Sequence, residues 1–366
     1  MAISILSTGY RGFGWHHYAH ILLQKLDQPN LYPNDPFADT AYSFATVYWY
    51  IVHWIGQFIP IPIVLFVLFL ANRVLVVYAA YCLLRTAFPN NWLATLGGLM
   101  VVSLVPRPLV GAGNPIKHLA DQTTLAFACT MLGLNAFVNR RWVQSAIWMG
   151  IATSMNLMYA IFGMSYLAAT FLVDSRFRRE WRSILSASPL GLLLGLPGIL
   201  LVAREAARPV ENVRAVWQAS ELNYAEHFFM GIYPFWIHAI VVGLFLVALW
   251  MARCGASPSD RLMGAWTAVG VGWYLLAWLN PLLIHSLPLL HLHPIRGHDL
   301  WVVLVGLYWA GKAAEWISVQ TGGGMRGIAT VSFVLSVATL WNVMLPPSPL
   351  RLGAALATWV GVWGEA

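Results

Sequence analysis

Long apolar runs separated by short polar clusters set the pattern of this chain. The runs fall near 61–84, 91–106, 123–138, 145–158, 160–173, 184–203, 228–252, 262–280, 299–319 and 327–345, with a short last run at 351–364. A helix needs roughly 20 apolar residues to cross the hydrocarbon core of a bilayer. The pattern therefore predicts an all-α, polytopic transmembrane helical bundle of about 10–11 spans. The stretch 145–173 is too long for one ordinary span and carries Ser154 and Asn156 at its centre, so it is read as two short helices. Residues 42–54 interleave Tyr48, Trp49, Tyr50 and Trp54 with small and polar residues, the pattern of an amphipathic helix lying in the membrane interface.

Charge tests this arrangement. Arg140 and Arg141 follow one run; Arg176, Arg178, Arg179 and Arg182 follow another; Arg253 and Arg261 flank a third boundary. Basic loops stay on the cytoplasmic side of a membrane. With the 145–173 stretch split in two, all of these clusters fall on one side; unsplit, they do not. The other side then receives the longer loops 25–57, 107–122, 204–227 and 281–298, which are richer in Asp, Glu, His and Pro. Chemistry is expected there, because loops on a rigid scaffold carry most functional groups. The loop 204–227 alternates Arg204, Glu205, Arg208, Glu211 and Arg214, the signature of a solvated surface helix.

Composition narrows the solvent. Hydrophobic residues make up 59% of the 366 and charged ones 10%, with mean hydropathy +0.66; a water-soluble domain carries ~25% charged residues. Too little charge is present to cover a water-facing surface, and the chain reads as a single integral membrane domain. The net charge of +7 sits mainly in short loops and reads as topogenic, not as a nucleic-acid surface. Cys82, Cys129 and Cys254 are few, odd in number and set in or beside apolar runs, so neither a disulfide framework nor a zinc motif is expected. The first 25 residues lack a continuous apolar core, so no cleavable leader is expected.

Three constellations can carry chemistry. The segment Leu31-Tyr-Pro-Asn-Asp-Pro-Phe-Ala-Asp39 is a turn by its prolines, and it holds Asp35 and Asp39 just outside the membrane. A carboxylate there serves as a general base, holds a metal, or simply caps the following helix. The segment from His285 through His291, His293, Arg296 and His298 to Asp299 crowds titratable groups at the start of a span. Arg296 and His298 suit a phosphate. Alternatively, His291 and His293 with Asp35 or Asp299 form a divalent metal site for magnesium or manganese, or Asp299 is an ordinary cap in the first helical turn. The loop from Arg107 to Asp121 contains Lys117 and His118, which with Asp121 share one helical face; this is a substrate contact or a polar loop with Asp121 as helix cap. Two weaker signals remain. Arg73, beside Asn72, lies inside the first long run, where a charge is expensive and is functional unless paired within the bundle. His16, His17 and His20 lie at the spacing of one helical face.

The Tyr-Pro-Asn-Asp element before an aromatic interfacial helix resembles the first periplasmic loop of GT-C-type glycosyltransferases, multi-span membrane enzymes that use lipid-linked sugars. The Pro294-Ile-Arg296-Gly-His-Asp299 segment resembles the arginine-containing element before a late span in the same enzymes. The resemblance implies inverting transfer on the non-cytoplasmic face of a bacterial inner membrane. It places Asp35 or Asp39 as the catalytic carboxylate and Arg296, helped by His298 or a metal, against the departing polyprenyl phosphate. One departure is that the family has a helix before the catalytic loop, whereas residues 1–24 carry Arg11, His16, His17 and His20 and do not read as a span. Either the start lies upstream or this is a shortened relative. Two other readings stand beside this one: a non-catalytic subunit held among other membrane subunits, and a transporter or lipid-flipping protein. No nucleic-acid partner is expected under any of them.

Overall fold

The computed structural model describes residues 17–33, 46–103, 110, 116, 119–206, 212–255 and 257–320, and every regular element among them is helical. Among the described residues four helices are long and apolar enough to cross a membrane: Ile61–Ala87, Trp181–Arg204, Phe235–Cys254 and Pro258–Ile284. Shorter apolar helices stand between them. The expected runs at 327–345 and 351–364 lie outside the described residues. The chain forms two compact units, one built from residues up to 79 and from 116–217, the other from 80–110 and 218–320.

The first unit opens with α1 (His17–Asp27) and α2 (Val47–Gly56). α2 answers to the helix expected over 42–54, beginning at Val47. It buries Tyr48, Trp49 and Val52 and leaves Tyr50, Ile51 and Trp54 exposed. Asp27, at the end of α1, accepts from Gln57 at 3.3 Å and lies 3.6 Å from His53, which ties the two helices together. α3 (Ile61–Ala87), whose residues from Ala80 on belong to the second unit, follows; it starts beside Pro60 and stops two residues before Pro89. Proline supplies no N–H, so it is tolerated at the start of a helix and ends one ahead of it.

α5 (Gln122–Val138), α6 (Trp142–Met155), α7 (Leu157–Val173), the short α8 (Ser175–Arg179) and α9 (Trp181–Ala206) form the rest of this unit. α5 starts at Asp121, whose carboxylate accepts from the Thr123 and Thr124 N–H groups at 2.7 and 3.2 Å. It ends with Arg140 in the left-handed region (φ 61°) while Arg141 N–H reaches back to the Ala136 carbonyl at 2.8 Å. That geometry turns the chain sharply and satisfies the last carbonyls of the helix. The expected break inside 145–173 falls on one residue. Asn156 is extended (φ −159°); its N–H still bonds the Ala152 carbonyl at 2.8 Å while its side chain accepts from Met158 N–H at 3.1 Å. Asn156 thus closes α6 and caps α7 at once.

α6 packs on α9 through small residues. A Cβ on Gly150 would lie 2.6 Å from the Gly191 carbonyl, and one on Gly198 would lie 2.5 Å from the Thr153 carbonyl. Close backbone approach of this kind holds helices together in lipid, where apolar contact alone gives little preference for protein over acyl chains. Hydrogen bonds fasten α6 on both sides: Ser154 Oγ donates to the Leu194 carbonyl of α9 at 2.5 Å and Ser145 Oγ to the Gly133 carbonyl of α5 at 2.9 Å. On its other side α9 exposes Leu192, Leu193, Leu196 and Leu200, a face suited to lipid.

The second unit contains α4 (Trp92–Ser103), α10 (Val213–Phe228, whose first residues belong to the first unit), α11 (Phe235–Cys254), α12 (Pro258–Leu279), α13 (Leu287–Leu292) and α14 (Pro294–Gln320). Of the charges that predict a surface helix in 204–227, Arg204 and Glu205 end α9, Arg214 lies on α10, and Arg208 and Glu211 lie outside the described residues. α14 lies at the centre of its unit: Leu300 through Val305 are all buried, so it is covered all round, as an apolar helix interior to a bundle must be. α4 and α12 pack against it. The α11–α12 turn is closed by a reciprocal cap in which Ser257 and Asp260 each bond the other's backbone N–H. Tyr308 Oη donates to the Asp260 carboxylate and Lys312 Nζ stands 3.6 Å from it, so α14 is fastened to that turn. Phe88 stacks on Tyr308 with ring centroids 5.6 Å apart.

Candidate functional site

The polar cluster that the sequence places at the start of the late span is built at the far end of α12 and α14, within the second unit. Pro281 cannot donate to the helical ladder. α12 passes there into a π-helical turn, Asn280–Ile284, and leaves it through His285 in the left-handed region (φ 52°). Asn280 fixes the exit: its side chain donates to the Ser286 carbonyl at 3.3 Å and accepts from Ser286 N–H at 3.0 Å. α13 then makes little more than one turn and ends on His293, again left-handed (φ 51°), with its ring centroid 4.4 Å from that of Phe228. A non-glycine residue in this region costs of order 1 kcal/mol or more. Two histidines accepting it within nine residues mark a path imposed by the surrounding packing.

α14 starts at Pro294, at the position where proline's missing N–H costs nothing. This corrects two expectations. The loop 281–298 is mostly helical, and the late span begins five residues earlier than the run at 299. Arg296 sits in the first turn of α14, half-buried. His298 and Asp299 lie past that turn, each 1% exposed, so Asp299 is not a first-turn cap.

The His298 ring stacks on Trp301 with centroids 5.1 Å apart, and Phe245 and Tyr274 flank it at 5.5 and 5.8 Å. Its Nδ1 has no hydrogen-bond partner among the described residues. Neither oxygen of Asp299 accepts a hydrogen bond there either, and the charge that acts on it is that of Arg296, one turn back. Burying a carboxylate without donors is expensive, and inside a membrane protein an ionisable group so placed marks a site of function by default. Gly297 and Gly270 let the helices close here: a Cβ on either would lie 2.5 Å from the indole of Trp273 or Trp301 respectively. Trp301 Nε1 donates to Thr267 Oγ1 at 3.1 Å and locks the contact.

Beside this cluster lies a pair that sequence reasoning missed. His238 Nδ1 and Tyr274 Oη share a hydrogen bond of 2.6 Å, and His238 Nε2 lies 3.1 Å from the Met230 carbonyl. A lone histidine near the start of an apolar run, 36 residues from its partner, gives no local signal of this contact.

The remaining candidates divide clearly. Asp35, Asp39, Arg107, Lys117 and His118 lie outside the described residues. Asp121 is the cap of α5. His291 is exposed whereas Asp299 is buried, and among the described residues no three His, Cys, Asp or Glu side chains gather to hold a metal ion. His291, His293 and Asp299 therefore do not fit the expected metal site as a set. In the first unit, Arg73 is 1% exposed with its guanidinium 5.2 Å from the Phe69 ring centroid, and neighbouring Asn72 donates to the Asp121 carbonyl at 3.3 Å. Of the three early histidines, His17 and His20 lie on α1 and His16 precedes the described residues. No family model matches the chain, and neither a curated protein nor a solved structure matches it.

Proposed function

We propose that this chain is a GT-C-like membrane glycosyltransferase that moves a sugar from a polyprenyl-phosphate donor to an acceptor hydroxyl on the non-cytoplasmic face of a bacterial inner membrane. The observation that carries the reading is the position of Arg296. Its guanidinium is held in the first turn of a 27-residue helix, whose N-terminal end favours anions. A planar cation in that place matches a phosphate geometrically.

In this reading Asp35 or Asp39 takes the proton of the acceptor hydroxyl as its oxygen bonds the anomeric carbon. The bond from that carbon to the phosphate oxygen breaks, and the polyprenyl phosphate leaves with the electron pair. Charge grows on the leaving group, so a fixed cation beside it lowers the barrier. Arg296 supplies that cation. Transport is the weaker alternative. The break at Asn156 resembles a transporter's in outline, yet Ser154 beside it is spent on helix packing.

The test is transfer from a synthetic polyprenyl-phosphate sugar by the full chain reconstituted in lipid. Asp35→Asn is expected to reduce turnover by roughly 10²–10⁴-fold. Arg296→Ala is expected to reduce it by roughly 10²–10³-fold, with normal folding in both. A chain that binds neighbouring membrane proteins and is indifferent to both substitutions is a non-catalytic subunit, and the enzyme reading then fails.

A further inference from the structure

The opposite kind of chemistry collects at one end of the first unit. The α5–α6 turn, α8 and the start of α9 bring Arg140, Arg141, Arg176, Arg178, Arg179 and Arg182 together, against only Asp174 and Glu180. Three contacts fix the grouping. Arg140 pairs with Glu180, Trp142 Nε1 donates to the same carboxylate at 3.1 Å, and Phe137 stacks on buried Phe177 at 5.4 Å. Arg176 is occupied by Asp174, which it meets with two nitrogens at 2.6–3.1 Å. The acids are thereby used up. Arg141, Arg179 and Arg182 are exposed, and no described acidic group pairs with them.

The surroundings are as telling as the charge. Four helices end here, so the arginines sit where apolar helix surface gives way to polar chain. Directly beside them Leu172, Val173, Trp181 and Leu185 are each at least half exposed. Arg182 lies over the Trp181 indole, 5.5 Å from its centroid. A cation ring joined to an exposed apolar wall matches an amphiphile with an anionic head. Water-soluble anions have no use for the wall, and neutral lipids have none for the arginines. Indole at this depth favours the headgroup level, and basic residues at a membrane surface draw anionic lipid.

From this we infer that the basic end of the first unit is a binding surface for anionic phospholipid, with Arg141, Arg179 and Arg182 engaging the headgroup phosphate and the Leu172–Leu185 wall receiving the acyl chains. The inference does not depend on the transferase reading.

Native mass spectrometry of the full chain released from neutral detergent tests it, with phosphatidylglycerol, with phosphatidylcholine of the same chains, and with inorganic phosphate at matched ionic strength. Wild type retains phosphatidylglycerol at least about tenfold more strongly than phosphatidylcholine. The R141Q/R179Q/R182Q variant loses that preference; R141K/R179K/R182K, which keeps the charge, and R214Q, which removes an arginine from α10, both retain it. Should the triple variant fail to fold, R182Q alone carries the test, with a loss of about fivefold. An unchanged preference in the glutamine variant overturns the assignment, as does its loss in R214Q or in the lysine variant. So does full displacement by inorganic phosphate, because the surface then takes a free anion and not a headgroup.

Discussion

Single residues decide whether the buried polar end of α14 is a strain or a support. Tyr274 and His238 satisfy each other at 2.6 Å. Tyr274→Phe leaves an imidazole nitrogen without its partner in an aromatic setting, and the loss is expected to be about 1–3 kcal/mol. The apparent melting temperature of the full chain in detergent should fall measurably. Asp299→Asn should behave in the opposite way. The amide keeps the shape, removes a charge, and gives up no hydrogen bond to the described residues. Its melting temperature is expected to match or exceed that of wild type, while transfer activity falls. An Asp299→Asn protein that melts clearly lower would mean that the carboxylate's charge, through Arg296, holds the helix start together.

Among the elements, the α6–α9 contact is the one whose chemistry is most exacting. Gly198 faces backbone atoms of Thr153 and Ser154 that cannot move aside, whereas Gly243 on α11 meets nothing within 4 Å. Gly198→Ala is therefore expected to destabilise by about 1–3 kcal/mol. Gly243→Ala, gaining helix propensity in open space, should be neutral or stabilising by up to about 1 kcal/mol. Comparing the two melting curves separates close packing from the general effect of adding a methyl group. If both variants lose stability equally, the α6–α9 interface is looser than its geometry implies.

The whole molecule carries a prediction about sides. Arg141 and Arg179 lie at one end of the first unit, on turns separated by an out-and-back pair of helices. Arg141→Cys and Arg179→Cys, each in a background with the native cysteines replaced, should both react with an impermeant maleimide from the same face of sealed vesicles. Opposite labelling would undo the hairpin and the charge argument together. At this scale the sequence was most readable. Apolar run length and basic loops located the helices and the split near Asn156, because both are local in the chain. The candidate site was only half readable. Arg296, His298 and Asp299 stood out by crowding, but their burial depends on where α14 starts, and that was set by Pro294, masked by the polar residues after it. His238 meeting Tyr274, and Tyr308 meeting Asp260 48 residues away, leave no local trace, since such pairs are made by packing alone.

The reversal at Asn156 governs more than its own neighbourhood. α6 has 14 residues and α7 has 17, so one continuous helix made from both would run straight on where the hairpin turns back. A substitution that let the helix run through that point would carry the arginines of α8 away from Arg140 and Glu180, to the opposite end of α6. The basic end of the first unit thus hangs on one amide side chain and one extended peptide unit, which bring together arginines that lie more than thirty residues apart in the chain.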